Sequence, residues 1–183
     1  MTPARQDLPV TPGTTYRDTV RIMQPVYAYR DITKIEGAPV VLTVPGHGLA
    51  SDWPVWVRGV QGMPEANREP FKQLPHRAKR LGVDSLEINP LSASGLKPTG
   101  GELIYQVPVD LTDAAAWLKV YRGDDLLFVL SAGAGLSITA PGTLTRSMTS
   151  EQTALLSGAP LHYTFDIQYP GLTIVRYCEG VIL

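Results

Sequence analysis

The chain holds a single cysteine, Cys178, three histidines and no pair of cysteines at metal-ligand spacing. One cysteine excludes an intrachain disulfide and any zinc site built on a cysteine pair. Charge is sparse at 18% of 183 residues, and the formal net charge is -1, so no strong field draws the chain to nucleic acid or to an anionic membrane surface. No apolar run approaches the ~20 residues that span a bilayer. Residues 1–7, MTPARQD, lack the apolar centre of a signal peptide, so a cytosolic site of synthesis is expected.

What the chain has in quantity is glycine and proline, 17 and 16 residues spread along its length. That density of breakers leaves little room for long helices and favours short strands between turns. Alternation supports this. In 14–23, Tyr16, Asp18, Val20 and Ile22 share one face and Arg17, Thr19 and Arg21 the other, a strand pattern broken only by Asp18. Extended segments follow at 26–33, 38–44 and 54–60, then a long polar loop from Gln61 to Pro75. Two short strands flank the turn Gly82-Val83-Asp84-Ser85, and another strand covers Leu103 to Val107. Ala114–Tyr121 fits a short helix or a strand, and the alternation of Ala116, Leu118 and Val120 favours the strand. Strands are expected at 126–131, at 137–139 and 143–148 around Pro141-Gly142, at 162–168 and at 172–181. Thr149-Ser150-Glu151-Gln152 reads as a capping box opening one helix of about two turns. The sequence therefore predicts an all-β chain with one short helix.

Candidate chemistry is thin. His47, in Val44-Pro45-Gly46-His47-Gly48-Leu49, has no nucleophile motif beside it, and the flanking glycines suit a turn. His76 and His162 match no metal spacing. Cys178 reads as a small buried residue, and Ser131-Ala132-Gly133-Ala134-Gly135-Leu136 lacks both the spacing and the following helix of a phosphate loop. No catalytic residue, cofactor or metal is expected. The candidate contact residues are Trp53, Trp56, Met63, Arg68, Phe71, Lys72, Arg77, Lys79 and Arg80. The five cations among them, Arg68, Lys72, Arg77, Lys79 and Arg80, form the densest charge in the chain, although Trp53 and Trp56 serve equally well as core.

Two stretches carry a resemblance. From Ile32-Thr33-Lys34-Ile35 through APVVLTVPGHGLASDWPVWVRGVQGM to Gly100-Gly101, the chain resembles a small β module of phage tail and virion proteins. That module is similar in turn to the first catalytic-cysteine half-domain of ubiquitin-activating enzymes, and the likeness implies no ubiquitin chemistry. The flanks, DLPVTPGTTYRDTVRI, VDLTDAAAWLKVYR, LTRSMTSEQTALLSGAPLHYTFDIQY and TIVRYCEGVIL, resemble the Ig-like domain at the N-terminus of phage baseplate upper proteins. The resemblance implies an Ig-like β-sandwich from 6–30 plus 108–183, interrupted by a small barrel-like β module at 31–107. It implies a virion structural protein of a tailed bacteriophage, a tail or baseplate adaptor or fibre-attachment subunit. Its expected partners are other virion proteins and copies of itself, with no nucleic acid and no membrane span. Capsid decoration (a head fibre) and a carbohydrate-binding adsorption module are the alternatives, and an enzyme is not expected.

Overall fold

The computed structural model describes residues 3–158, 160–171 and 174–183. In chain order its strands are β1 (Ala4–Arg5), β2 (Tyr16–Arg21), β3 (Met23–Asp31), β4 (Lys34–Glu36), β5 (Val40–Thr43), β6 (Trp53–Arg58), β7 (His76–Arg80), β8 (Ser85–Ile88), β9 (Glu102–Pro108), β10 (Ala115–Arg122), β11 (Asp125–Ala132), β12 (Gly135–Ala140), β13 (Thr143–Met148), β14 (Leu161–Gln168) and β15 (Ile174–Ile182). One helix, α1 (Ser150–Ala154), and a single 3-10 turn at Pro64–Ala66 complete the regular structure of the described residues. The chain is all-β. It forms two compact units, one from the N-terminal segment up to Val20 together with Asp110–Leu183, the other from Arg21–Val109.

In the 21–109 unit the strand order is β3-β9-β6-β7-β8-β5-β4. The two ends of this sheet, β3 and β4, are consecutive in the chain with only Ile32 and Thr33 between them. The Ile32 N–H donates to Gly101 O beside β9 and the Thr33 N–H to Thr43 O on β5, each at 2.9 Å. A sheet whose first and last strands are joined by two residues has to curl until its edges meet, so the unit is barrel-like. Strand β6 changes partners along its length. Its first half, Trp53–Val55, pairs with β7, and its second half, Trp56–Arg58, pairs with β9. The core follows from alternation: Val40, Leu42, Val55, Val57, Leu86, Ile88, Leu103 and Tyr105 point inward with Trp53 and Met63. Each large aliphatic side chain so buried contributes about 1.5–3 kcal/mol.

The second unit has the order β1-β15-β14-β10-β11-β12-β13-β2. Its ladder turns a corner between β11 and β12, which pair only through Ser131–Ala132 and Gly135–Leu136. A β-carbon on Gly135 would lie 2.7 Å from both Leu130 Cδ2 and Ser147 O, so the corner admits no side chain there. Past the corner the sheet faces itself. The Arg146 guanidinium on β13 lies 6.0 and 5.9 Å from the ring centres of Tyr163 and Phe165 on β14. Four strand steps in a flat sheet would separate these strands by about 19 Å, so the unit is a sandwich.

Two boundaries differ from the sequence reading. Residues 21–30 belong with the barrel-like unit and not with the C-terminal strands, because β3 pairs with β9 along its length. The alternation of 14–23 looks continuous, but the chain leaves one unit at Val20. The two ends of the 21–109 unit lie side by side, with the Val109 N–H donating to Ile22 O at 3.0 Å. Residues ahead of that point stay with the C-terminal half: β2 neighbours β13, and β1 runs parallel to β15. Helix α1 is also shorter than two turns. Its capping box is present, with Thr149 Oγ1 accepting from the Gln152 N–H and Gln152 Oε1 accepting from the Thr149 N–H. At its other end the Leu155 and Leu156 N–H groups bond three residues back, which tightens the chain out of the helix. The final strand is described from Ile174, and the expected start at Leu172 and Thr173 lies outside the described residues.

Candidate interaction surface

The outer face of β3, β9 and β6 carries a second apolar layer, separate from the barrel core. Tyr27 and Tyr29 on β3, Ile104 on β9 and Trp56 on β6 occupy it, since Tyr29, Ile104 and Trp56 stand in one row of the ladder. Tyr27 meets Trp56 edge-on at 6.0 Å and Phe71 at 5.7 Å, with interplanar angles of 61° and 66°. The Arg58 guanidinium sits 5.9 Å from the Tyr29 ring and bonds Glu102 at 2.5 Å.

The segment 67–75 is fastened across this face. Asn67 accepts from the Val60 N–H at 2.9 Å and donates to Val60 O at 3.0 Å. The Arg68 N–H donates to Val57 O at 2.7 Å, and its Nη1 donates to Leu74 O and Pro75 O at 3.1 and 3.2 Å. The Trp56 indole N–H donates to Gln73 O at 2.8 Å. His76 Nε2 lies 2.8 Å from Ala66 O, which makes it the N–H donor there. A segment held at this many points is a rigid mount. It presents Phe71, 92% exposed and at φ 65°, and Leu74, 83% exposed. Lys72 and Arg77 flank them, exposed and in no ion pair among the described residues.

Of the nine residues expected to make contacts, three are in the wrong place. Trp53 is 2% exposed, Trp56 8% and Met63 0%. Trp53 and Met63 belong to the barrel core, and Trp53 is further tied down by its indole N–H donating to Gln106 O at 2.9 Å. Trp56 lies beneath Tyr27 and the 67–75 segment. Arg68 spends its guanidinium on backbone carbonyls and so shapes the surface from below. Arg80 does the same, through Nε to Leu49 O at 3.0 Å, while Lys79 faces Glu87 at 3.6 Å. Phe71, Lys72 and Arg77 are free to meet a partner. The sequence missed Tyr27, Tyr29 and Leu74; the i, i+2 spacing of the two tyrosines was the signal available.

His47 is buried, with Gly46 and Gly48 at φ 67° and 68° giving the chain its turn. Its Nδ1 accepts the Leu49 N–H at 3.0 Å, so the ring is neutral with its proton on Nε2. Burial pushes its pKa down, opposed only in part by the Gly82 carbonyl and by Asp84; Arg80 adds to the fall. His76 is pushed down in the same way, by burial first and with Arg68 adding to it.

The sandwich unit holds a second polar centre that the sequence reading missed. Arg146 is fully buried and binds the Asp18 carboxylate through Nε at 2.8 Å and through Nη2. Its Nη1 has no hydrogen-bond partner among the described residues. Burial alone would lower its pKa, but Asp18 outweighs that and holds it above the usual arginine value. Tyr16 beside the pair is pushed up to about 12, by burial and then by Asp18. Tyr163 donates to Gln6 O at 2.5 Å, with the buried Cys178 thiol 3.7 Å away. Burial raises the pKa of that thiol. Arg146 is held inside the sandwich, whereas the Asp18 carboxylate that binds it is partly exposed at 26%.

No protein-family model matches the chain, and no curated protein matches it.

Among the described residues no three His, Cys, Asp or Glu side chains gather as metal ligands would, and no helix is long and apolar enough to cross a membrane. The 67–75 segment is an apolar tip on a rigid mount beside exposed cations, which is suited to protein contact.

Proposed function

We propose that this chain is a structural subunit of a tailed-bacteriophage virion, a tail or baseplate adaptor or fibre-attachment subunit. It works by protein–protein contact and not by chemical turnover. The reading rests on the resemblance of the flanks to one phage module and of the middle to another, in that order along the chain. A sandwich strand set interrupted by a barrel-like unit is the arrangement this order requires. The observation that carries the contact role is the exposure of Phe71 and Leu74 on the fastened 67–75 segment. Apolar side chains of this size, held rigid in water between cations, gain free energy only when a partner covers them.

In this role the subunit repeats in the particle and meets other virion proteins. The test is mass spectrometry of purified particles followed by density mapping. The chain is expected in the tail or baseplate at a fixed copy number. Its absence from purified particles would overturn the proposal, and density on the head would replace it with the capsid-decoration reading.

A further inference from the structure

We propose that the 68–80 surface of one copy seats against the acidic end of the sandwich unit of a second copy. This rests on reading that surface as a contact site, and it names what covers it. The two units carry opposite charge. The 21–109 unit has ten Lys and Arg against eight Asp and Glu, a net of +2, and the other unit has six against nine, a net of -3. The positive excess is concentrated. Between residues 68 and 80 there are five cations and one acid, and the two cations left unengaged, Lys72 and Arg77, flank the exposed Phe71 and Leu74.

The counterpart lies at one end of the sandwich. Asp125, Arg122, Leu161 and Ile182 form a single row across β11, β10, β14 and β15. At that row the chain presents Leu126, 52% exposed, and Leu183, 72% exposed. Arg122 turns its guanidinium onto Leu155 O and Ser157 O, at 2.7 and 3.1 Å, which brings the exposed Leu155 to the same end. The exposed Asp124 and Asp125 stand at this end, and neither is in an ion pair among the described residues. Each surface is thus an apolar centre with free charges of one sign beside it, Lys72 and Arg77 on the one and Asp124 and Asp125 on the other. Either surface repels its own kind and complements the other, so the contact is heterologous, the type that builds rings or filaments.

Heterologous contact makes a specific prediction about mixtures. One variant, with Phe71→Ser, Lys72→Ser and Arg77→Ser, keeps only the acidic surface. A second, with Asp124→Ser, Asp125→Ser and Leu126→Ser, keeps only the basic one. All six positions are exposed, and circular dichroism is the control that both variants fold. In analytical ultracentrifugation the unmodified chain is expected to assemble at low salt and to disperse at high salt. Each variant alone is monomeric, and an equimolar mixture gives a one-to-one dimer that grows no further. The inference is overturned if the unmodified chain stays monomeric at low salt, if either variant assembles like the unmodified chain, or if the mixture remains two monomers. Failure here is separable from failure of the virion reading. Loss of the Phe71/Lys72/Arg77 variant from particles, with a monomeric unmodified chain, refutes self-contact and leaves the surface in use by another protein. A mixture that dimerises, from a chain absent from particles, does the reverse.

Discussion

Arg146 on β13 reaches Asp18 on β2 through two nitrogens, inside a sandwich whose other interior groups are mainly apolar. Removing Asp18 strands the fully buried Arg146 charge in a low-dielectric interior, whereas removing both strands nothing. Asp18→Asn is therefore expected to lower the unfolding free energy by about 3 kcal/mol, and Asp18→Leu with Arg146→Met to recover most of that loss. Urea titration of the single and double variants checks it, and equal losses in both would refute the account.

The same pair shows what the sequence could and could not say. Strand positions were legible wherever alternation ran between Gly or Pro turns, as in β6 and β14, because a half-buried strand writes its two faces into every second residue. Asp18 stood out as the flaw in such a face. Its partner did not, since Arg146 lies 128 positions along the chain and alternation carries no information about which distant strand will be opposite. The surface failed for a related reason. Trp53 and Trp56 are three residues apart on one strand, and sequence alone could not show that Trp53 enters the barrel core while Trp56 is roofed by residues 67–75. That roof depends on the hydrogen bonds of Asn67 and Arg68 to Val60 and Val57, contacts made by a loop with no periodicity to read.

Trp53 and Phe71 should therefore behave oppositely. Trp53→Ala opens a cavity in the barrel core and is expected to cost about 3–5 kcal/mol. Phe71→Ala removes a side chain that is almost wholly in water and should change stability by less than about 0.5 kcal/mol. Thermal melts distinguish them. A binding defect in the Phe71 variant would then report on contact, whereas the same defect in the Trp53 variant would report on folding.

Acid should loosen the 21–109 unit. His47 and His76 are both held neutral in the folded chain, with pKa values below the ordinary value near 6.5. Below about pH 6.5 the unfolded chain takes up protons that the folded chain refuses, so stability is full above that pH and declines as pH falls toward the lowered folded values. Protonation of His47 puts an N–H where the Leu49 N–H now donates, and protonation of His76 leaves a second charge next to Arg68. Urea midpoints measured from about pH 7.5 down to about pH 5 should fall, and His47→Asn or His76→Gln should each flatten the slope. A flat profile in the unmodified chain would show that neither imidazole is coupled to folding.

The N-terminal strand is expected to depend on a single missing side chain. β1 runs alongside β15, with the Gln6 N–H donating to Glu179 O at 3.0 Å and the Leu8 N–H to Val181 O at 2.9 Å. Between those bonds sits Gly180, where a β-carbon would fall 2.1 Å from Gln6 O. No rotamer relieves a backbone clash of that size, so Gly180→Ala has to push the 4–8 segment off the sheet. Tyr163, whose hydroxyl donates to the same Gln6 oxygen, then loses that acceptor and keeps only the weak contact to Cys178 Sγ at 3.7 Å. The loss should amount to about 1–3 kcal/mol for the weakly bonded hydroxyl. Arg5 supplies a direct readout, because trypsin cleaves after it only when the strand is free. Rapid early cleavage at Arg5 in the Gly180→Ala variant, set against slow cleavage in the unmodified chain, is the expected result, and equal rates would show that the strand is held by something other than this close approach.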